Sequence, residues 1–170
     1  MAERRIVVDT LRLNYQGLFN LNEMYHMIDK WLREKGYDKY ERKNFEHIYK
    51  DGKQVEVEIE PWKKFTDYAK CSIKMNILCT EVKDVVVNVD GKRAKMNQGK
   101  MLITFMGFME TDYENRWEQK AILYFLRTIF DLWIYKVNTD KFEAFVAEDT
   151  NHLYQTIKSY LNLHRKMVVG

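Results

Sequence analysis

The chain has 170 residues, enough for one domain with a full core, and its 46% hydrophobic, 31% charged composition is globular rather than disordered. A formal charge of +3, from 28 basic and 25 acidic side chains, is too nearly balanced to warrant a nucleic-acid footprint, which shows a strong basic excess on one face. One proline and seven glycines leave little room for linkers, so residues 1–170 are read as a single domain.

The opening MAERRIVVDTLRL carries two arginines but no long apolar region before a cleavage site, so no secretory signal is expected. Residues 5–15 read as a first strand, which Gly17 is expected to break. A helix follows from Asn20, whose side chain is placed to accept from the Glu23 backbone while Glu23 reaches back, a capping-box arrangement. Leu21, Met24, Ile28, Trp31 and Leu32 share one helical face, and Gly36 is the expected stop.

From Tyr40 to Tyr113 the period is two. Lys50-Asp51-Gly52 reads as a hairpin turn. Residues 55–60 alternate Val-Glu-Val-Glu-Ile-Glu up to Pro61, and residues 71–77 alternate in the same sense. A turn over Trp62–Asp67 would set Glu60 opposite Lys70, Glu56 opposite Lys74 and Ile59 opposite Cys71. That leaves one apolar face and one face of opposite-charge pairs. A third hairpin turns at Asp90-Gly91, with Val85 facing Met96 and Val87 facing Ala94. Gly99 marks a bulge or break. Residues 101–109, MLITFMGFM, are apolar on both sides, as in a central strand or one lining a cavity, and Gly107 leaves a gap in that surface.

Residues 117–135, WEQKAILYFLRTIFDLWIY, are the most apolar stretch. Arg127, Thr128 and Asp131 interrupt them well short of the ~18 apolar residues a membrane span needs. A helix this apolar must be covered by a sheet, another helix, a partner or a ligand. A last helix starts at Asn138 or Thr139 and runs to about His164. Phe142, Phe145, Val146, Leu153, Ile157, Tyr160 and Leu161 follow its stripe, Asp149 and His152 interrupt it, and residues 164–170 are a frayed tail. The expected fold is α+β: a curved antiparallel sheet of about five to seven strands, with one N-terminal and two C-terminal helices on one face.

Chemistry is sparse. His26, His47, His152 and His164 show no metal-ligand spacing, and no cysteine joins them, so neither a metal nor a cofactor is expected. Cys71 and Cys79, in one strand, would lie about 26 Å apart, beyond disulfide reach, and read as small buried side chains. Reduced cysteines without a signal peptide point to the cytoplasm. His47 beside Glu56 or Glu58 is either half of an acid–base pair or an edge-strand histidine satisfied by a carboxylate, and the second reading is the simpler. Glu56, Glu58 and Glu60 form a carboxylate row, which reads as a solvated, charge-paired face rather than glycosidase chemistry. Residues 110–117, ETDYENRW, are the most polar stretch. Asp112 or Asn115 suits a helix cap, and Asp112, Asn115, Arg116 and Trp117 together suit a recognition corner in which Arg116 grips a carboxylate or phosphate. Trp62, Lys63, Lys64 and Phe65 would either dip into a lipid headgroup layer, stack on a base, or fold back over the core.

The element order resembles the START-like, or SRPBCC, helix-grip architecture, in which a curved sheet wraps a long C-terminal helix around an apolar cavity. This chain departs from that plan in having one helix after the first strand and two at the end. Separately, ETDYENRW at 110–117 and FEAFVAED at 142–149, followed by HLY, resemble small uncharacterised archaeal proteins. That resemblance spans most of the chain and implies no activity.

Three functions follow as expectations. The first is a non-enzymatic module binding an apolar small molecule or lipid between the sheet and the 117–135 helix, lined by Met75, Ile77, Met101, Ile103, Phe105, Leu123, Leu126 and Phe130. The second is an interaction protein that forms a homodimer or receives a protein partner through its aromatic C-terminal helices. The third, an enzyme with a site near Glu110–Arg116 and His47, lacks a readable nucleophile–base pair and assigns no catalytic residue.

Overall fold

The computed structural model describes residues 3–67, 69–89, 92–111 and 136–167. The order is β1 (Glu3–Phe19), α1 (Leu21–Glu34), β2 (Glu41–Tyr49), β3 (Gly52–Ile59), β4 (Trp62–Lys64), β5 (Ala69–Val89), β6 (Lys92–Thr111) and α2 (Lys136–Met167). The six strands form one antiparallel sheet in the order β1-β6-β5-β3-β2, with β4 paired to β5. The fold is α+β, with two helices among the described residues. The expected helix at 117–135 lies outside them, as do Leu123, Leu126, Phe130 and the corner Asp112, Asn115, Arg116 and Trp117.

α1 forms with the Asn20 half of the expected capping box, while the Glu23 side chain turns to α2 instead. The Asn20 side chain accepts from the Glu23 backbone N–H at 3.1 Å, and Gly36, at φ +73°, follows the last turn. Met24, Ile28, Trp31 and Leu32 are buried. The Glu23 carboxylate accepts from the Tyr160 hydroxyl of α2 at 3.0 Å. The same hydroxyl also reaches the Asn20 carbonyl, at 3.1 Å. At the other end of α1, Trp31 Nε1 donates to His152 Nδ1 at 2.7 Å, and Lys35 pairs with Asp149 at 2.9 Å. The two helices therefore run antiparallel, tied at both ends.

Both helices cover one side of the sheet. Cys71, Ile73, Met75 and Ile77 of β5, and Met101, Ile103 and Phe105 of β6, form one buried cluster with Met24, Ile28 and Leu32 of α1 and Val146, Leu153, Ile157 and Leu161 of α2. α2 packs tightly over Gly107. A Cβ there would stand 3.0 Å from Thr150 Oγ1 and 3.1 Å from Val146 Cγ1, so the expected gap is filled by the helix.

Four expectations are corrected. Gly17 does not end β1: with φ +152° it continues the ladder opposite Gly99, and the strand runs to Phe19. The β3–β5 register lies four residues further along than expected, with Ile59 opposite Met75 and Val57 opposite Ile77. Proline lacks an N–H, but the Pro61 carbonyl still accepts from Ile73 N at 2.9 Å. Pairing therefore resumes at Trp62↔Ser72, and the turn waits until Phe65–Ala69. Because the shift is even, the same residues stay on the apolar side. The irregularity expected at Gly99 sits opposite it on β5, between Thr80 and Lys83, where Glu81 adopts φ +55°. A Cβ at Gly99 would meet the Thr80 carbonyl at 2.9 Å. Finally, the helix continues past His164 to Met167, and His164 is buried, with its ring against Tyr160. The third hairpin has the expected register, Val85 opposite Met96 and Val87 opposite Ala94.

Candidate functional site

The five sheet residues expected to line a ligand pocket do cluster: Met75, Ile77, Met101, Ile103 and Phe105 are each at most 2% exposed. They belong to the core under α1 and α2, with the Tyr154 ring edge-on to Phe105 at 5.7 Å.

Beside that core lies a buried polar knot. Asp149, an interruption in the apolar stripe, is 1% exposed. It accepts from the Tyr37 hydroxyl at 3.0 Å and pairs with Lys35. Cys71 Sγ lies 3.6 Å from the same hydroxyl. Burial, then the neighbouring Cys71 and Asp149, push the Tyr37 hydroxyl far above its ordinary range. Burial likewise pushes the Cys71 thiol up to about 11 and the Cys79 thiol up to about 12. An apolar setting keeps such thiols protonated and inert, so the knot ties helix to sheet and is poorly suited to nucleophilic chemistry. Among the described residues, no group of three His, Cys, Asp or Glu side chains is placed to hold a metal ion.

The far side of the sheet carries the charges. Glu58 pairs with Lys74 at 3.1 Å and Lys43 at 3.8 Å, Glu56 with Lys43, and Glu60 with Arg4 and Arg42. Burial works to raise Glu58, but the Lys74 hydrogen bond and the charges of Lys74, Lys43 and Arg42 outweigh it and hold the carboxyl below its ordinary value. Glu110 is taken by Lys70 at 2.8 Å and Arg4 at 3.5 Å. The glutamate row is charge-paired, but Glu58 and Glu60 are buried rather than solvated, and their partners are not the lysines expected opposite them. His47 lies opposite Gln54 rather than opposite Glu56 or Glu58, between the Phe45 and Tyr49 rings, each 6.4 Å away. The 62–65 segment folds back. Trp62, Lys63 and Lys64 form β4, Phe65 stacks on Phe142 at 4.6 Å, and Lys63 Nζ donates to the Lys35 carbonyl at 2.7 Å.

What remains open is β2. All nine of its residues are exposed, and among the described residues it ends the sheet, paired only with β3. Phe45 is 52% exposed, Ile48 77% and Tyr49 58%. Phe45, His47 and Tyr49 point to the charged side of the sheet, opposite Glu56, Gln54 and Gly52, while Glu46 and Ile48 point to the helix side. Past an irregularity at Glu41–Lys43, residues 43–49 pair without interruption, so β2 offers a regular backbone edge with no second partner strand among the described residues. Sequence reasoning assigned the hairpin turn that creates β2 and read His47 as an edge-strand residue, but did not single out the edge as a site. The usable signal was FEHIY, apolar on alternating and intervening positions alike, with no proline or lysine to guard it.

Behind β2 lies a cleft of about 800 Å³ between the start of α1, β3 and the outer half of the β5–β6 hairpin. Leu21, Val55, Val82 and Met96 supply its apolar floor. Its rim groups largely hold one another: Asp84 takes Lys53 and Asn97 Nδ2, each at 2.9 Å, and Asn97 Oδ1 accepts from Leu21 N at 3.1 Å. No described helix is long and apolar enough to cross a membrane. Compared with known proteins, the chain matches no protein-family model and no curated protein.

Proposed function

We propose that the chain is a non-enzymatic interaction protein that receives an extended segment of another polypeptide along β2. The observation that carries this is a nine-residue edge strand exposed at every position and bearing Phe45, Ile48 and Tyr49. An added strand gains main-chain hydrogen bonds from the edge and specificity from alternate side chains. Clustered exposed aromatics are the usual anchors of such contacts. The inert Cys71 thiol and the paired carboxylates support a binding role over catalysis. A photo-crosslinking residue at position 48, in cells making the chain, tests it. One discrete crosslinked product is expected from position 48 and none from position 12 on β1. Equal yields from both positions, or none from either, would overturn the reading.

A second reading, an apolar small molecule or lipid as ligand, is favoured by the cleft with its floor of Leu21, Val55, Val82 and Met96. Its volume falls in the range of about 300–1,000 Å³ usual for ligand sites. Native mass spectrometry of the purified chain should then show a bound species that Leu21→Glu removes. A bare mass in both proteins would sink it.

A further inference from the structure

We infer that the polypeptide received by β2 is a second copy of this chain, paired antiparallel about a two-fold axis at His47; this rests on the interaction reading above. If two copies continue one sheet with matching faces, each residue must meet one that points to the same side, so only registers centred on a residue are allowed. Arg42 lies within the Glu41–Lys43 irregularity and is drawn to Glu60 at 2.7 Å, which limits regular pairing to residues 43–49 and the turn beyond.

Within that window the registers differ sharply. Centring on Phe45 brings Lys43 against His47 and joins no opposite charges. Centring on Glu46 sets two carboxylates face to face, which is unfavourable. Centring on Ile48 sets Glu46 against Lys50 and His47 against Tyr49, but it sets Phe45 against Asp51 and pairs only residues 47–49 of the strand with one another. Centring on His47 sets Phe45 against Tyr49 of the second copy on both sides of the axis and Lys43 against Asp51 at both ends. On the helix side it sets Glu46 opposite Ile48, diagonal to Lys50 on one side and to Glu46 of the second copy on the other. The aromatic row Phe45–His47–Tyr49, already aligned within one copy, would lie beside its own reverse, forming two facing rows of three rings with the His47 rings at the axis. Opposite-charge and aromatic cross-strand pairs are the units that fix a register. Among frames that avoid like charges face to face, this one alone pairs the whole Phe45–Tyr49 stretch with itself, with aromatic and opposite-charge pairs on both sides of the axis.

Sedimentation of the full chain over a range of concentrations, together with cysteine crosslinking, tests the pairing. Cys71 and Cys79 are fully buried, so the native chain supplies a clean background. The expected results are a dimer, its loss in Phe45→Lys, and rapid disulfide formation between copies of His47→Cys, at least tenfold faster than for Glu46→Cys or Ile48→Cys. All three positions are exposed on an edge, so the fold should tolerate each change, and circular dichroism checks it. A monomer at every concentration would overturn the pairing, as would fastest crosslinking at position 48 or 46. A monomer in solution combined with a crosslink from position 48 to a different protein in cells would remove the self-pairing and leave the interaction reading standing.

Discussion

The two edges of the sheet are built to opposite standards. β1 is irregular between Ile6 and Val8 and again between Val8 and Leu11, carries Gly17 at positive φ, and sends Leu13 and Phe19 into the core. Its Arg5 is tied to Glu143 of α2 at 3.1 Å, and α2 settles over Gly107 beside Val8. Bulges and a covering helix are the usual means of keeping a sheet edge from recruiting another strand. β2 has a single irregularity at its start and no residue withdrawn from solvent. One edge is guarded by two irregularities and a helix, whereas the other, past the charged and irregular Glu41–Lys43 segment, has no covering element among the described residues, and that asymmetry is the pointer to function.

The comparison can be broken from the β1 side first. Leu153 is fully buried where α2 crosses the sheet. Leu153→Ala should cost about 3 kcal/mol in urea unfolding and bring hydrogen exchange of β1 amides toward the fast rates expected of β2. Next, Asp149→Ala strands the Tyr37 hydroxyl and Lys35 at the helix junction and should cost about 2 kcal/mol, whereas Asp149→Asn, which still accepts a hydrogen bond, should cost less. Acid acts on the other half. Glu58 is held low chiefly by Lys74 against the upward pull of burial, and Glu41 is held low chiefly by the Tyr25 hydroxyl. A lowered folded value means stability fully present above the unfolded carboxylate value of about 4.3 and lost as pH falls through the folded value. Exchange in β2 and β3 should therefore rise below about pH 4 before it rises in β1, and Lys74→Met should blunt the effect; equal acid sensitivity at both edges would refute it. The smallest change is expected at the bare edge itself. Phe45→Ser or Tyr49→Ser should leave the unfolding midpoint within about 0.5 kcal/mol of the parent while abolishing association.

Much of the fold was legible because it follows from period and punctuation. The cap at Asn20, the stop at Gly36, the hairpin at Asp51-Gly52 and the Val85–Met96 register all rest on local chemistry that the structure repeats. The β3–β5 register was misjudged because Pro61 ends local alternation without ending the ladder: its carbonyl still pairs. Asp149 read as a flaw in a stripe because a buried carboxylate is recognised only once Tyr37 and Lys35, more than a hundred residues away in sequence, are seen to meet it. The edge position was read only for His47, and the exposure of Phe45, Ile48 and Tyr49 was missed for the same reason. Exposure of an edge is a property of strand order, and strand order is a long-range fact that periodicity does not encode.

The extra residue at Glu81 acts as a phase change. On the near side of it, odd-numbered residues of β5 such as Ile73, Met75, Ile77 and Cys79 face the helices. Beyond it the parity is reversed, so Val82 faces inward and Asp84 turns to the side where Asn97 and Lys53 hold it near the start of α1. A deletion of this single codon would leave every side chain from Val82 to Asn88 chemically intact and put each on the wrong side of the sheet. Lengths on the two arms of the hairpin are therefore not free to drift independently: β5 has to carry one residue more than β6 between the core and the tip, and Gly99 and Gly52, whose small size admits the detour, have to travel with it.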